Sequence, residues 1–215
     1  MLSLLPDPAS YALFMGAAFV LLVTPGPAVL YIVSRGIAQG TGAGLVSALG
    51  LVLGGLVHVL AAVLGLSAVL AASETLYSGF RLAGAAYLVY LGVRQLRASG
   101  RSEGGQGPPP ASRGRIFRQG VAVSVLNPKP ALFFMAFLPQ FVDPARGPAS
   151  AQLLLLGLSF LALALVTDTA WAVGAGRVGG ALRHERFRVM RDRTAGAVYV
   201  GLGLAAAWGD GLGRD

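Results

Sequence analysis

The chain has 215 residues, 55% of them hydrophobic and only 12% charged, with a mean hydropathy of +0.68. A soluble domain carries about a quarter charged residues, so this composition leaves too little polar surface to coat a water-soluble globule. The formal charge of +8 is spread between apolar runs and not along one face, which argues against nucleic-acid binding, and the absence of cysteine excludes thiol–disulfide chemistry and thiolate metal sites.

Apolar runs such as Ala43–Ala72 and Gln152–Val166 contain stretches that approach or exceed the ~20 residues a helix needs to cross a bilayer. Six spans are predicted in chain order, at about residues 10–34, 43–72, 78–97, 116–138, 150–175 and 193–209. The N-terminal stretch Met1–Ser10 has no Lys or Arg and carries Asp7. It lacks the basic region of a cleaved signal peptide, so the first span is expected to be retained. Between spans three and four, Ser99–Gly114 contains Pro108, Pro109 and Pro110 with several glycines and reads as a polar linker with no means of packing a core. The expected organisation is a first three-helix unit at 1–98, a linker at 99–115 and a second three-helix unit at 116–215.

The loops set the orientation. Thirteen arginines lie on one side of the predicted layout: Arg35, six flanking the linker from Arg94 to Arg118, and six between Arg177 and Arg193. Only Arg81, Arg146 and Arg214 lie on the other side, among acidic Asp7, Glu74, Asp143, Asp210 and Asp215. Cytoplasmic loops concentrate Lys and Arg, so both termini are expected outside and the linker in the cytoplasm. An internal repeat is also visible. Phe14, Pro25, Pro27 and Ala28 match Phe117, Pro128, Pro130 and Ala131 at one common offset, and Val20 matches Val123. Three spans per half then give the halves opposite orientations, an inverted-repeat architecture recurrent in transporters.

The residues with chemistry sit at these matched positions. Thr24-Pro25-Gly26-Pro27 and Asn127-Pro128-Lys129-Pro130 each place two prolines inside a span. Proline removes a backbone donor and clashes with the preceding turn, so spans one and four are expected to break there. A break in hydrocarbon is tolerated only where it is buried in protein or lines a wet cavity, and matched breaks point to a central binding site. The alternative is a pair of ordinary kinks that shape packing. Lys129 is the only lysine in the chain and lies near the middle of span four. It is read as a carboxylate-binding or proton-exchanging group, or else as a structural tie to freed carbonyls. Asp168 is the only acidic residue within a span, and His58 lies in span two. Either could hold an amino group or a proton; the bland readings are a histidine bonded to a neighbouring carbonyl and an aspartate paired with an arginine. Gly50 and Gly54 are read as packing positions, as are Gly84, Gly92, Tyr87 and Tyr90. No phosphate loop, zinc spacing or nucleophile–base pattern appears, so no enzymatic reaction, cofactor or metal site is expected, and transport of a small polar solute is the expected function.

The run Thr24–Pro27, the Gly44–His58 stretch, Gly84-Ala85-Ala86-Tyr87-Leu88 with Gly92, Asn127-Pro128-Lys129 and Phe137-Leu138-Pro139-Gln140-Phe141 occur in this order along nearly the whole chain. Together they resemble the LysE/RhtB family of amino-acid exporters. The resemblance implies a homodimeric protein of the bacterial inner membrane that exports amino acids or related metabolites under proton-motive force. It also implies that Thr24, Pro25, Gly26, Pro27, Asn127, Pro128 and Lys129 line the substrate path, and that Asp168 occupies an acidic position of the fifth span. Two positions depart from the family pattern: Ala28, where many members carry Asp or Asn, and Pro130, where they usually carry Ala. An uncoupled channel or a metal-ion exporter on the same three-plus-three layout is the alternative reading.

Overall fold

The structure is a computed structural model that describes residues 6–66, 89–90, 93, 110–177 and 200. Predicted spans three and six lie almost wholly outside the described residues, as do Gly84, Tyr87, Gly92 and most of the linker. Among the described residues every regular element is helical. Helix α1 runs Pro8–Val23, α2 Pro27–Gln39 and α3 Thr41–Ala61, extended by a π turn at Ala62–Leu66. Helix α4 runs Arg113–Val125 and α5 Pro128–Ala136, followed by 3-10 turns at Leu138–Phe141 and Pro144–Arg146 and then α6, Ala149–Arg177. Among the described residues three stretches are long and apolar enough to cross a membrane, and α1 with α2 makes a fourth if that bent pair is one span. The chain is a multi-pass membrane protein.

Local chemistry explains where these helices start and stop. Asp7 caps α1, its side chain accepting from the amides of Ala9 and Ser10 at 3.1 and 3.0 Å. Hydrogen bonds from the Ser10 hydroxyl and amide hold the Asp7 carboxyl below the usual carboxylate range. Helix α1 ends at Val23, α2 starts at Pro27, and the axis bends by 50° between them. Pro27 and Pro128 both sit at a first helical position, where the missing amide hydrogen is no loss. Between α2 and α3 the single residue Gly40, at φ +82°, reverses the chain in a conformation that disfavours any side chain.

Hydrophobic burial cannot drive helix association within lipid, so close approach of small residues must do it. A Cβ on Gly50 would collide with the carbonyl oxygen of Phe117, and one on Gly54 would lie 2.6 Å from Ser124 Cβ. Gly120 meets α3 in return, where an added Cβ would lie 2.9 Å from the Ser47 oxygen. Gly36 and Gly44 let α2 and α3 press on α6, where an added Cβ would lie 2.9 Å from Ala175 Cβ and Ala172 Cβ respectively. The opposite face of α3 leaves Leu49, Leu53, Val57 and Leu60 about half exposed, the apolar stripe that a lipid-facing surface needs.

A cluster of phenylalanines fills the end of the bundle away from the linker. Phe14 of α1 meets Phe141 edge-on with centroids 5.4 Å apart, Phe133 stacks on Phe137 at 5.3 Å, and Phe134 meets Phe160 of α6 at 4.9 Å. All six rings are buried. The loop below them is clamped by Gln152, which is fully buried. Its oxygen accepts from the Asp143 amide at 3.0 Å, and its nitrogen donates to the carbonyls of Asp143 and Gly147 at 2.8 and 3.0 Å.

Candidate functional site

The gap between α1 and α2 and the gap between α4 and α5 are brought together. The carbonyl of Thr24, left without a helical partner where α1 stops, accepts a 2.6 Å hydrogen bond from Lys129 Nζ. The lysine is therefore a tie between the two proline motifs. Its own amide donates to Asn127 Oδ1 at 3.1 Å, the cap of α5. Thr24 contributes its carbonyl alone: its hydroxyl turns back to the Val20 oxygen at 2.6 Å.

Around this junction lies a cavity of about 50 Å³. Of the sequence-predicted site residues, Gly26, Asn127, Lys129 and Asp168 line it. Asn127, Lys129 and Asp168 are 4, 6 and 6% exposed, so solvent barely reaches the polar groups. Lys129 and Asp168 are thus two ionisable residues in one cavity wall. Apart from Ser124 the rest of the wall is apolar, with Leu21, Leu22, Leu51, Phe134, Phe160 and Leu161 the bulkiest members. A water occupies about 30 Å³, so the cavity admits one or two waters in this conformation and must widen to admit a larger solute.

The remaining sequence-predicted residues lie elsewhere. Pro25 and Pro128 shape the helix ends and are not in the cavity wall. His58 also stands outside it, with Nε2 2.8 Å from the Ser124 carbonyl at the end of α4. Among the described residues no three His, Cys, Asp or Glu side chains come together to hold a metal ion.

A second, wider space opens beside the first. This cleft runs between α2 and α4 and has a volume of about 510 Å³. Pro27 and Asn127 line its inner end, so Asn127 borders both spaces. Tyr31, Arg35 and Gln119 line it toward the linker end, where Gln39 bonds to both the amide and the carbonyl of Ala111. Arg35 is 4% exposed and firmly placed. Its guanidinium donates to Gln119 Oε1 at 2.8 Å and to Gln39 Oε1 at 3.1 Å, and lies 5.7 Å from the Tyr31 ring centroid. Tyr31 in turn donates to the Ile116 carbonyl at 2.7 Å. Sequence reasoning took Arg35 only as a topology signal. The signal that could have found it is the i, i+4, i+8 spacing of Pro27, Tyr31 and Arg35, one face of a helix that starts at a break.

The family profile of the LysE type translocators matches residues 19–209. An uncharacterised membrane protein of Pseudomonas aeruginosa is 32% identical, covering 90% of this chain and 92% of that one. The homoserine/homoserine lactone efflux protein of Salmonella typhimurium is 29% identical over 87% of this chain and 91% of its own. The leucine efflux protein of Klebsiella pneumoniae is 32% identical over 72% of this chain and 69% of its own. No solved structure matches the chain.

Proposed function

The chain belongs to the LysE type translocator family, a family of transporters and not of enzymes, and from that premise we propose that it exports amino acids with neutral, largely apolar side chains under proton-motive force. The observation that carries this reading is the cavity at the junction of the two proline motifs. Its described wall holds one lysine and one aspartate, with Asn127 and Ser124 and otherwise hydrocarbon. A zwitterionic α-amino acid has the complementary pattern. Lys129 takes the carboxylate and Asp168 the ammonium group. A side chain that carried a further charge would be desolvated without a partner against Leu22, Val52 and Phe134. The two efflux relatives are named for solutes with uncharged side chains, which supports the same choice.

The two helix starts contribute unequally. In α5, Pro128 and Pro130 have no amide hydrogen and the Lys129 amide is capped by Asn127, so its first turn offers the solute no free donor. Helix α2 has no side-chain cap, and the amides of Ala28 and Val29, both residues of the cavity wall, are the donors it presents to a carboxylate. In the empty site the Thr24 carbonyl occupies the Lys129 ammonium. An arriving carboxylate replaces it, which loosens the tie between α1 and α5 and couples binding to movement of the two halves. Asp168 is the group that exchanges the driving proton. His58, bonded to a backbone carbonyl outside the cavity wall, is a tie between α3 and α4 in this scheme.

The same reading includes six spans arranged as two inverted three-helix repeats, with units at 1–98 and 116–215 and a cytoplasmic linker at 99–115. Both termini lie outside the bacterial inner membrane, and the protein acts as a homodimer. The thirteen-to-three arginine asymmetry and the matched proline motifs support this layout.

The test uses cells loaded with leucine-containing dipeptides, followed by the leucine that appears outside. The native protein is expected to speed release, with Lys129→Ala abolishing the gain while the protein remains inserted in the membrane. Native export by that variant contradicts the role. Asp168→Asn is expected to weaken leucine binding and to remove the response of the remaining flux to the proton gradient.

A further inference from the structure

We infer that the cleft between α2 and α4 is a second binding site, a loading site on the linker side, at which Arg35 captures the carboxylate of the solute before it passes Asn127 into the central cavity. The inference rests on the export reading above.

Three observations carry it. The first is size. Small-molecule sites occupy about 300–1,000 Å³; the cleft, at about 510 Å³, lies within that range, whereas the central cavity at about 50 Å³ does not. The cleft is also the more open of the two spaces, so a solute meets it before the cavity. The second is continuity. Asn127 borders both spaces, and Pro27 of the cleft adjoins Gly26 and Ala28 of the cavity wall. Arg35 lies two helical turns beyond Pro27, about 12 Å at 1.5 Å per residue. A solute released from the cleft therefore has one short step to the center.

The third is chemistry. A guanidinium is a planar fork of donors that matches a carboxylate. Gln119, Gln39 and the Tyr31 ring fix its plane in advance, so a carboxylate meets a preorganised partner. The cleft wall beyond Arg35 is apolar at Ala122, Val123 and Leu126. That order, cation outside and hydrocarbon inside, seats a neutral amino acid with its carboxylate toward the linker and its side chain toward Asn127. Arg35 is itself nearly buried, so the carboxylate meets it within the cleft, and apolar surface leads the solute onward.

The experiment measures uptake of radiolabelled L-leucine into everted membrane vesicles, whose outer face is the linker face, together with its inhibition by L-leucinamide, which has no carboxylate. Arg35→Met removes the fork. Gln119→Glu keeps Arg35 in place and sets a competing carboxylate against it, so it tests the site even where Arg35→Met does not insert. Both variants are expected to raise the leucine KM about tenfold or more, the scale of hydrogen bonds to a charged partner. The leucinamide inhibition constant should stay within about twofold of native, because no bond to a carboxylate is lost. A leucine KM unchanged in an inserted variant overturns the loading site. So does an equal weakening of leucine and leucinamide, which marks Arg35 as a purely structural anchor. If native vesicles take up no leucine, the export reading itself fails and the loading site falls with it.

Discussion

Lys129 has two roles that draw on one atom. Its Nζ satisfies a buried backbone carbonyl at the junction of the proline motifs, and the proposed solute needs the same ammonium group. Removing the side chain leaves the Thr24 oxygen without this donor in a buried, apolar setting. An unsatisfied buried acceptor costs about 1–3 kcal/mol, so Lys129→Ala is expected to lower the melting temperature in detergent as well as to stop export. Lys129→Arg keeps a donor and a charge but not the compact ammonium, and is expected to restore most of the stability and little of the export. A variant that restores both would show that any cation suffices. Gln152 is the matching case away from the site. It satisfies three backbone groups of the loop after the aromatic cluster. Gln152→Ala is expected to destabilise by about 1–3 kcal/mol with leucine KM unchanged, checked by thermal unfolding beside vesicle uptake.

The central interface between elements is the α3–α4 contact, and glycines make it. Because a Cβ at Gly50 or Gly54 runs into the backbone or side chains of α4, any larger residue must push the helices apart. Gly54→Leu is expected to prevent accumulation of folded protein, whereas Leu53→Phe, one position along on the half-exposed face, is expected to be tolerated. Equal membrane levels of the two variants would contradict the packing account. Much at this scale is legible in the sequence: the apolar length of spans, the Gly50–Gly54 spacing, the loop arginines and the proline motifs that mark where α1 gives way to α2. What is not legible depends on how each helix is rotated. His58, Arg35 and Lys129 are all polar residues in apolar runs. Only the packed bundle separates a histidine bonded to the Ser124 carbonyl, an arginine lining a cleft and a lysine bonded across the proline motifs. Likewise, nothing in the spacing of Val52, Phe134 and Leu161 along the chain marks them as neighbours in one cavity wall.

Among the described residues the two ends of the bundle differ. The linker end has an open cleft, while the other end is filled by Phe14, Phe133, Phe137 and Phe141. Phe134 and Phe160 belong both to that aromatic cluster and to the cavity wall. Access from the far side therefore requires the rings to separate. Removing a packed ring leaves a cavity whose lining atoms lose their contacts. Phe137→Ala is expected to weaken the seal and raise gradient-independent leakage of leucine. Because the chain has no cysteine, a single cysteine placed at Phe141 in that variant gives a clean labelling site. It is expected to react faster with a membrane-impermeant thiol reagent than the same cysteine in the unaltered background. Equal rates would contradict the aromatic seal.

The most direct test of the central claim is flux from purified protein in liposomes loaded with leucine or lysine under an imposed proton gradient. The account predicts that inward-directed protons accelerate leucine release, that an uncoupler removes the acceleration, and that lysine is released no faster than from protein-free liposomes. Leucine flux indifferent to the gradient, or a preference for lysine, would contradict a proton-driven exporter whose site pairs Lys129 and Asp168 with a neutral amino acid.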